Sequence, residues 1–277
     1  MKESIEEIIE KIKNLEIQGA NEIALAALNF LKEYAKENGI DKNFFKSADV
    51  LEKVRPTAVV LHNCIESIKQ KPEIKTINNL ISQIQTSTEK IAKNSVKIIK
   101  EGSTILTHCH SGVAIASIKE ACKNKTGIKV YATETEPKHQ GIKTVKELAE
   151  AGIDVTLITD NAVGFFMPKI DLVLVGSDAM RKEGNINKIG SYTIALVAKS
   201  HNVPYYVVGS ILKLDNRKSF EIEERPIYEV YSDVSKLKGV KIRNPAFDLT
   251  PWKYIKRVIT EYGIMTPRNL IKLLNKK

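Results

Sequence analysis

Apolar residues recur at helical spacing through the first hundred residues of the chain. One such face runs over residues 5–15 and another over residues 23–31, which predicts two amphipathic helices. Ser4 and Glu7 stand at the spacing of a capping box, so the first helix is predicted to begin beside them. Proline lacks an amide hydrogen and suits the first turn of a helix, so the helix after Pro56 is predicted to open at Ala58.

The hydrophobic pattern changes after Gly102. A long helix is predicted over residues 74–101, with Gly102 as its C-terminal cap, and short apolar runs then alternate with amphipathic segments. The runs cover residues 104–107, 129–132, 155–158, 171–175 and 205–208, and the helical segments lie near residues 113–123, 142–151 and 190–200. This alternation predicts βαβ units and a mostly parallel sheet. The expected fold class is α/β, with an all-helical N-terminal domain over residues 1–102 and a Rossmann-like parallel-sheet domain over residues 103–277.

Residues with reactive side chains directly follow these apolar runs, where ligands of parallel sheets bind. Cys109 comes after the first run and just before a predicted helix, whose amides and dipole would bind anions and lower the pKa of a thiol. Asp178 follows the fourth run, in a position suited to proton transfer. The two residues therefore form a candidate acid/base pair.

Each candidate also has a structural interpretation. Cys109 is alternatively a buried core thiol, the interpretation that also fits Cys64 and Cys122. A metal site built from Cys109 and its two neighbouring histidines is disfavoured, since alternation along a strand points the cysteine away from them. Asp178 is alternatively the N-cap of a helix.

Phosphate-binding groups are predicted on two further segments. Residues 187–191 open a helix and offer both the Lys188 ammonium group and free backbone amides, following Asn187. Lys213, shortly after the run at residues 205–208, offers a second cation. Neither the glycine-rich dinucleotide fingerprint nor the P-loop motif occurs, which predicts a site for an anionic substrate that needs no cofactor.

Composition and charge limit the possible classes of protein. The 277 residues are 43% hydrophobic and 27% charged, which is ordinary for a globular protein. The sequence has neither an apolar run long enough to cross a bilayer nor an apolar N-terminal signal, so a cytoplasmic protein is expected. Three cysteines without CxxC spacing provide no disulfide framework. The net charge of +10 arises from lysines scattered along helices, which favours an anionic substrate or a Lys- and Glu-rich surface over nucleic-acid binding.

The segments that carry these candidates resemble the sugar-phosphate isomerases related to the α, β and δ subunits of initiation factor 2B. The resemblance covers nearly the whole chain. It rests on residues 18–20 (QGA), 55–59 (RPTAV), 107–111 (THCHS), 176–178 (GSD), 187–190 (NKIG) and 243–251 (RNPAFDLTP). The isomerases have the Cys and the Asp of the third and fourth segments, which the regulatory subunits typically lack, so the resemblance implies an enzyme.

What the resemblance implies about activity is specific. The sequence of residues 134–141 resembles that of archaeal enzymes that convert ribose 1,5-bisphosphate to ribulose 1,5-bisphosphate in AMP breakdown. The short length of the chain is also similar to theirs. Cys109 would be the acid or base at carbon and Asp178 would move a proton between oxygens, and a hydride shift between the carbons is an alternative route. The substrate-binding residues carried over are Gln18, Gly19, Ala20, Asn21, Arg55, Asn187, Lys188 and Lys213.

Other interpretations of the same family stay open. One is a methylthioribose-1-phosphate isomerase, and another is an archaeal regulatory subunit that binds a translation factor. Gln18 and Glu136 stand where the family has arginine. The resemblance also implies a homodimer or homohexamer and AMP as an activator. The apolar C-terminal segment around Phe247, Trp252, Tyr254 and Ile255 is a candidate dimer surface, with core packing as the alternative.

Overall fold

The computed structural model describes residues 4–14, 16–17, 19–54, 57–233 and 239–275. The chain divides into two compact units, one of Met1–Ser87 with Leu212–Leu214 and the other of Thr88–Ile211 with Asp215–Lys277. The boundary predicted between residues 102 and 103 stays a prediction. No helix in the described part of the chain is long and apolar enough to cross a membrane.

The first unit is helical, as the spacing of its apolar residues predicts. Its helices are α1 (Ile5–Lys13), α2 (Ala20–Asn38), α3 (Lys42–Val54), α4 (Val59–Gln70) and the first part of α5 (Ile74–Ser95). Both hydrogen bonds of the predicted capping box are present, since the Ser4 hydroxyl accepts from the Glu7 amide at 3.2 Å and the Glu7 carboxylate from the Ser4 amide at 2.9 Å. The core of this unit includes Ile12, Leu28, Leu31, Phe44, Leu61 and Ile65.

The predicted C-terminus of α5 is wrong. The helix ends at Ser95 rather than near residue 101, and Gly102 adopts its left-handed conformation (φ 69°) in the turn before the first strand. The Ser95 hydroxyl donates to the Ile91 carbonyl at 2.9 Å, which competes with the helical backbone bonds. The Lys125 ammonium group donates to the Val96 and Ile99 carbonyls, so this side chain satisfies two backbone acceptors just beyond the end of the helix.

The second unit contains ten strands and five helices wholly within its described residues, together with the end of α5. The strands are β1 (Thr104–Thr107), β2 (Lys129–Thr133), β3 (Asp154–Ile158), β4 (Leu172–Val175), β5 (Ala179–Met180), β6 (Gly184–Lys188), β7 (Tyr205–Val208), β8 (Phe247–Pro251), β9 (Arg257–Thr260) and β10 (Gly263–Met265). The helices are α6 (Gly112–Asn124), α7 (Gln140–Glu150), α8 (Val163–Phe166), α9 (Ser191–Ser200) and α10 (Pro267–Leu274).

Seven of the strands form one sheet in the order β10-β9-β7-β4-β1-β2-β3. All its neighbours pair in parallel except β9 and β10. From β1 the chain first adds β2 and β3 on one side and then returns to place β4 on the other side. The order therefore reverses between β1 and β4, and a crevice for ligands is expected beyond the carboxyl ends of these two strands.

A second, three-stranded antiparallel sheet, β5-β6-β8, is absent from the sequence prediction. It follows β4 directly and places residues 187 and 188 at the end of a strand. In β8 and beyond, Phe247 and Ile255 are buried, the Trp252 indole donates to the Arg181 carbonyl at 2.9 Å, and the Tyr254 ring packs on Tyr192. These side chains thus pack within their own chain, as the core alternative expected.

Candidate active site at the β1–β4 crevice

Cys109 lies directly beyond β1 in a left-handed backbone conformation, with φ of 65°. Such a conformation is uncommon for a residue other than glycine and is sustained by surrounding contacts. The Cys109 amide donates to the Thr135 hydroxyl at 2.9 Å, and the Thr144 hydroxyl donates to the Cys109 carbonyl at 2.8 Å. Hydroxyl groups from the loop after β2 and from α7 therefore hold the cysteine backbone from both sides.

The thiol of Cys109 has a raised pKa, of about 11. Burial is the largest cause, while the positive charge of Lys188 and the backbone amide of His110 lower the pKa, and the carboxylates of Asp178 and Asp160 raise it. The predicted lowering of this pKa is therefore wrong, because burial outweighs the nearby amide and positive charge. A thiol with this pKa is protonated at neutral pH and is suited to donate a proton.

Asp178 follows β4 and begins the connection to β5. Its amide donates to the Ile186 carbonyl at 2.8 Å, which aligns it with the second sheet. A strand and not a helix follows, so the N-cap interpretation of Asp178 is excluded. Its carboxylate is close enough to the Cys109 thiol to affect the pKa of that group. The structure thus brings the two predicted residues together at the β1–β4 crevice.

Gly176 explains how closely the two strand ends approach. A Cβ atom at this position would lie 2.4 Å from the hydroxyl oxygen of Ser111, the residue that caps α6. Any other residue would force the end of β4 away from the turn that contains Cys109. The glycine of the Gly-Ser-Asp segment is therefore a packing requirement of the site.

Lys188 supplies a positive charge that acts on the Cys109 thiol. It lies at the end of β6 and is mostly buried, with its ammonium nitrogen 5.3 Å from the centre of the Phe247 ring. It forms no ion pair within the described part of the chain. Asn187 faces inward from the same strand and donates from Nδ2 to the Ser191 hydroxyl at 2.9 Å. Asn187 thus helps to fix the start of α9.

The amides at the start of α9 are already occupied by a carboxylate. The Asp248 side chain accepts from the Gly190 amide at 2.8 Å and from the Tyr192 amide at 3.1 Å. Burial raises the pKa of Asp248 to about 6, although these two amides lower it. These two amides of the predicted anion-binding segment therefore bind the Asp248 carboxylate of β8.

The remaining predicted substrate contacts lie in the first unit or outside the described residues. Gly19, with φ of 90°, together with Ala20 and Asn21 opens α2, and a Cβ on Gly19 would meet the Glu22 carboxylate at 2.2 Å. Lys213 is buried in a short 3₁₀ turn whose flanking carbonyls, of Leu212 and Leu214, accept from Asn63 at 2.7 and 2.8 Å. Gln18 and Arg55 lie outside the described residues.

Sequence reasoning missed the residues that support Cys109. Thr133, Thr135 and Thr144 are fully buried, and Asp160, after β3, accepts from the Thr135 amide at 3.0 Å and the Glu136 amide at 2.8 Å. The available signal was the pair of threonines at the end of β2, because hydroxyl groups at a strand end are placed to bind neighbouring backbone. Their partners, however, lie 25 or more positions away along the chain.

Both histidines beside Cys109 have hydrogen-bond partners inside the protein. The His108 ring nitrogens contact the Thr133 hydroxyl at 2.6 Å and the Ile189 carbonyl at 2.8 Å, and His110 Nδ1 contacts the Thr144 hydroxyl at 3.1 Å. The structure therefore favours a hydrogen-bonding role for both histidines over metal ligation together with Cys109.

Comparison with known proteins decides the family. The chain matches the initiation factor 2 subunit family over residues 16–267. It belongs to that family. The resemblance on which the site assignment rests is thereby confirmed at the level of the family.

Individual relatives span almost the full chain. A protein of Methanocaldococcus jannaschii named ribose 1,5-bisphosphate isomerase is 42% identical over 98% of this chain and 94% of its own. The translation initiation factor eIF-2B of Pyrococcus horikoshii has a TM-score of 0.84 at 27% identity, covering 98% of this chain and all of the other. The 5-methylthioribose 1-phosphate isomerase of the same organism has a TM-score of 0.77 at 28% identity, covering 99% and 88%.

Proposed function

We propose that this protein is an aldose–ketose isomerase that converts ribose 1,5-bisphosphate to ribulose 1,5-bisphosphate. The broader class, a sugar-phosphate isomerase, follows from relatives of both named activities. The substrate is supported by the relatives at 42 and 40% identity, both of which are named for ribose 1,5-bisphosphate. The observation that carries the chemistry is the meeting of Cys109 and Asp178 beyond the two strands between which the sheet order reverses.

Two anionic groups of the substrate need cations or amides. Lys188 supplies a mostly buried positive charge beside Cys109, and Asn187 lies next to it on β6. The start of α2 at Gly19–Asn21 and the Lys213 ammonium group are proposed as further phosphate contacts on the family resemblance alone. Gln18 and Arg55 remain proposed contacts from the family resemblance.

The raised pKa of the thiol supports Cys109 as the acid. The 1-phosphate blocks spontaneous ring opening, so the bond between C1 and the ring oxygen must be broken by the enzyme. Cys109 would donate its proton to the ring oxygen as that bond breaks, and the Asp178 carboxylate would accept the proton of the C2 hydroxyl. The C2 hydrogen moves to C1, the C2–O bond becomes a carbonyl, and the proton returns from Asp178 to Cys109.

Two routes are open to the hydrogen that leaves C2. In the first it moves directly to C1 with its electron pair, and in the second a base removes it as a proton, leaving an enediolate that is reprotonated at C1. The second route requires a thiolate if Cys109 is the base. The raised pKa of the thiol does not choose between the routes, because the ring-opening step leaves Cys109 as a thiolate in both.

The deciding experiment is turnover of ribose 1,5-bisphosphate by the purified protein, with and without AMP. Removal of a positioned acid or base costs about 10²–10⁴-fold in rate, so Cys109→Ser and Asp178→Asn should each lower kcat by at least about a hundredfold. Cys122→Ser, which alters a half-buried thiol on α6, is the matched control and should retain activity within about twofold. In D2O, the hydride route leaves C1 of the product free of solvent deuterium.

Two other results would redirect the assignment. Turnover of methylthioribose 1-phosphate in place of the bisphosphate would keep the chemistry and change the substrate. Inactivity on both sugars, together with a stable complex with a translation factor, would support the regulatory alternative. The similarity to the P. horikoshii initiation factor is the observation that favours this alternative. AMP as activator, a place in AMP breakdown and a homodimeric or homohexameric assembly are part of the same proposal.

A further inference from the structure

His108 is a buried titratable residue that the proposed reaction does not use. Its side chain is 2% exposed, and it precedes the candidate acid by one position. Both ring nitrogens are engaged, one with the end of β2 through Thr133 and the other with the turn between β6 and α9 through the Ile189 carbonyl. The imidazole therefore connects three segments that converge on the crevice.

The contact with Ile189 bears directly on Lys188, the residue before it. Ile189 is held on its other side by its amide, which donates to the Ala246 carbonyl at 3.0 Å. Gly190, the residue after it, packs against the imidazole so closely that a Cβ there would lie 3.2 Å from the ring. The Lys188 backbone thus enters a turn whose position is set by His108.

We propose that His108 is a positioning residue that holds the β6–α9 turn so that the Lys188 ammonium group faces the Cys109 thiol. The proposal rests on the proposed function only in treating Cys109 as the reacting group. It assigns His108 no proton transfer of its own.

The protonation state of the ring agrees with this role. A carbonyl oxygen only accepts, so Nε2 must carry the proton that bonds to Ile189, and Nδ1 of a neutral ring accepts from the Thr133 hydroxyl. Burial lowers the pKa of His108, and the nearby charge of Lys188 lowers it too, while the Ile189 carbonyl and Asp160 oppose the shift. A neutral His108 leaves Lys188 as the cation that acts on the thiol.

The charged groups that act on the Cys109 thiol come from three elements. Lys188 from β6 favours the thiolate, whereas Asp178 after β4 and Asp160 after β3 disfavour it. Displacement of Lys188 would remove the positive charge that opposes these two carboxylates and would raise the pKa of the thiol further. The rate at which the thiol is alkylated reports this change without any substrate.

The test is alkylation of Cys109 by iodoacetamide between pH 7.5 and 9.5, followed by peptide mass spectrometry. Two variants separate the two contacts of the ring. His108→Gln retains an amide that reaches the Ile189 carbonyl, whereas His108→Asn places its amide nearer the position of Nδ1 and loses that reach. Lys188→Met and the double variant His108→Asn/Lys188→Met complete a cycle that measures whether the two residues act together.

We expect His108→Asn and Lys188→Met each to lower the Cys109 rate about threefold relative to Cys122. A rise of one pKa unit removes tenfold of the thiolate, and the greater nucleophilicity of the remainder recovers about threefold. His108→Gln should stay within about twofold of the wild type. In the double variant the rate should fall no further than in either single variant.

Three outcomes would overturn the proposal. The first is a Cys109 alkylation rate in His108→Asn equal to that of the wild type. The second is that the effects of the two substitutions multiply in the double variant, which would mean that His108 acts independently of Lys188. The third is a rise in the alkylation rates of all three cysteines, including the fully buried Cys64, which would mean a general loosening of the structure. The expected alkylation pattern in a protein that turns over neither sugar would refute the isomerase assignment and leave this inference intact.

Discussion

At the scale of single residues, the candidate site consists of polar groups held by backbone contacts from distant segments. Cys109 keeps a left-handed conformation because the hydroxyls of Thr135 and Thr144 bond to its amide and carbonyl. The Asp248 carboxylate is held by the backbone amides at the start of α9. Each arrangement places an ionisable group in a poorly solvated position, so its protonation is linked to folding.

Asp248 should make the stability of the protein depend on pH. Its pKa rises from 3.8 to about 6 on folding, mainly through burial, so the folded chain binds more protons than the unfolded chain between these values. Stability is therefore lost as the pH rises through this window, by on the order of 1 to 2 kcal/mol for a partly exposed carboxylate. Urea unfolding of the wild type and of Asp248→Asn at pH 4, 5, 6 and 7 measures the effect.

The relevant quantity is the difference between the two unfolding free energies at each pH. It should shift in favour of the Asn variant between pH 4 and 6 and then level off. A difference that stays constant over this range would mean that the Asp248 carboxyl titrates alike in the folded and unfolded chains.

At the scale of secondary-structure elements, close backbone approaches bring the strand ends together. Gly176 allows the end of β4 to meet Ser111, and Gly141 allows the first turn of α7 to lie against the end of β2. The approach of α7 to β2 also places the Thr144 hydroxyl within hydrogen-bond distance of the Cys109 carbonyl. Glycine is required at both places because of the space available, and neither has a left-handed backbone conformation.

Gly141→Ala should destabilise the protein by about 1 to 3 kcal/mol or more. The added Cβ would lie 1.7 Å from the Thr133 carbonyl oxygen, so the helix or the strand must move. Gly164→Ala in α8 is the matched control, since its Cβ meets nothing within 4 Å and its φ is not positive. The control should be neutral or stabilising by up to about 1 kcal/mol, as measured by urea unfolding. Equal effects of the two substitutions would contradict this account.

At the scale of the whole molecule, the excess of positive charge should assist capture of a bisphosphate. The net charge of +10 raises the local concentration of anions near the protein and accelerates their association. The field is screened by salt over a Debye length of about 8–10 Å near physiological ionic strength. The net charge therefore acts on the encounter with an anion and not on the chemical step.

The corresponding prediction concerns ionic strength. Raising NaCl from 20 to 200 mM should lower kcat/KM for ribose 1,5-bisphosphate by about three- to tenfold, if association contributes to the rate, while kcat changes by less than about twofold. Steady-state kinetics with a neutral osmolyte at matched viscosity as the control would measure this. A fall in kcat of the same size as the fall in kcat/KM would assign the salt effect to the bound state.

Much of the fold could be predicted from sequence because the central strands β1, β4 and β7 are buried on both faces and read as apolar runs. β1 and β7 have the bounds of their apolar runs, and β2, β3 and β4 differ from theirs by a single residue at one end. The second sheet could not be predicted in this way. β6 has the sequence Gly-Asn-Ile-Asn-Lys and is buried throughout, and its register with β8 pairs residues about 60 positions apart. A strand with a mostly polar sequence, whose backbone pairs with a distant segment, has no local hydrophobic signature.

The sequence by itself determined the order of the elements and the location of Cys109 and Asp178 at the ends of buried strands. Local periodicity and chain connectivity are sufficient for both conclusions. Only the tertiary structure decided that burial raises the pKa of Cys109, that Asp248 occupies the amides of α9, and that His108 contacts the turn beside Lys188. Each of these depends on distances between groups far apart in the chain, and electrostatic and desolvation energies are functions of those distances.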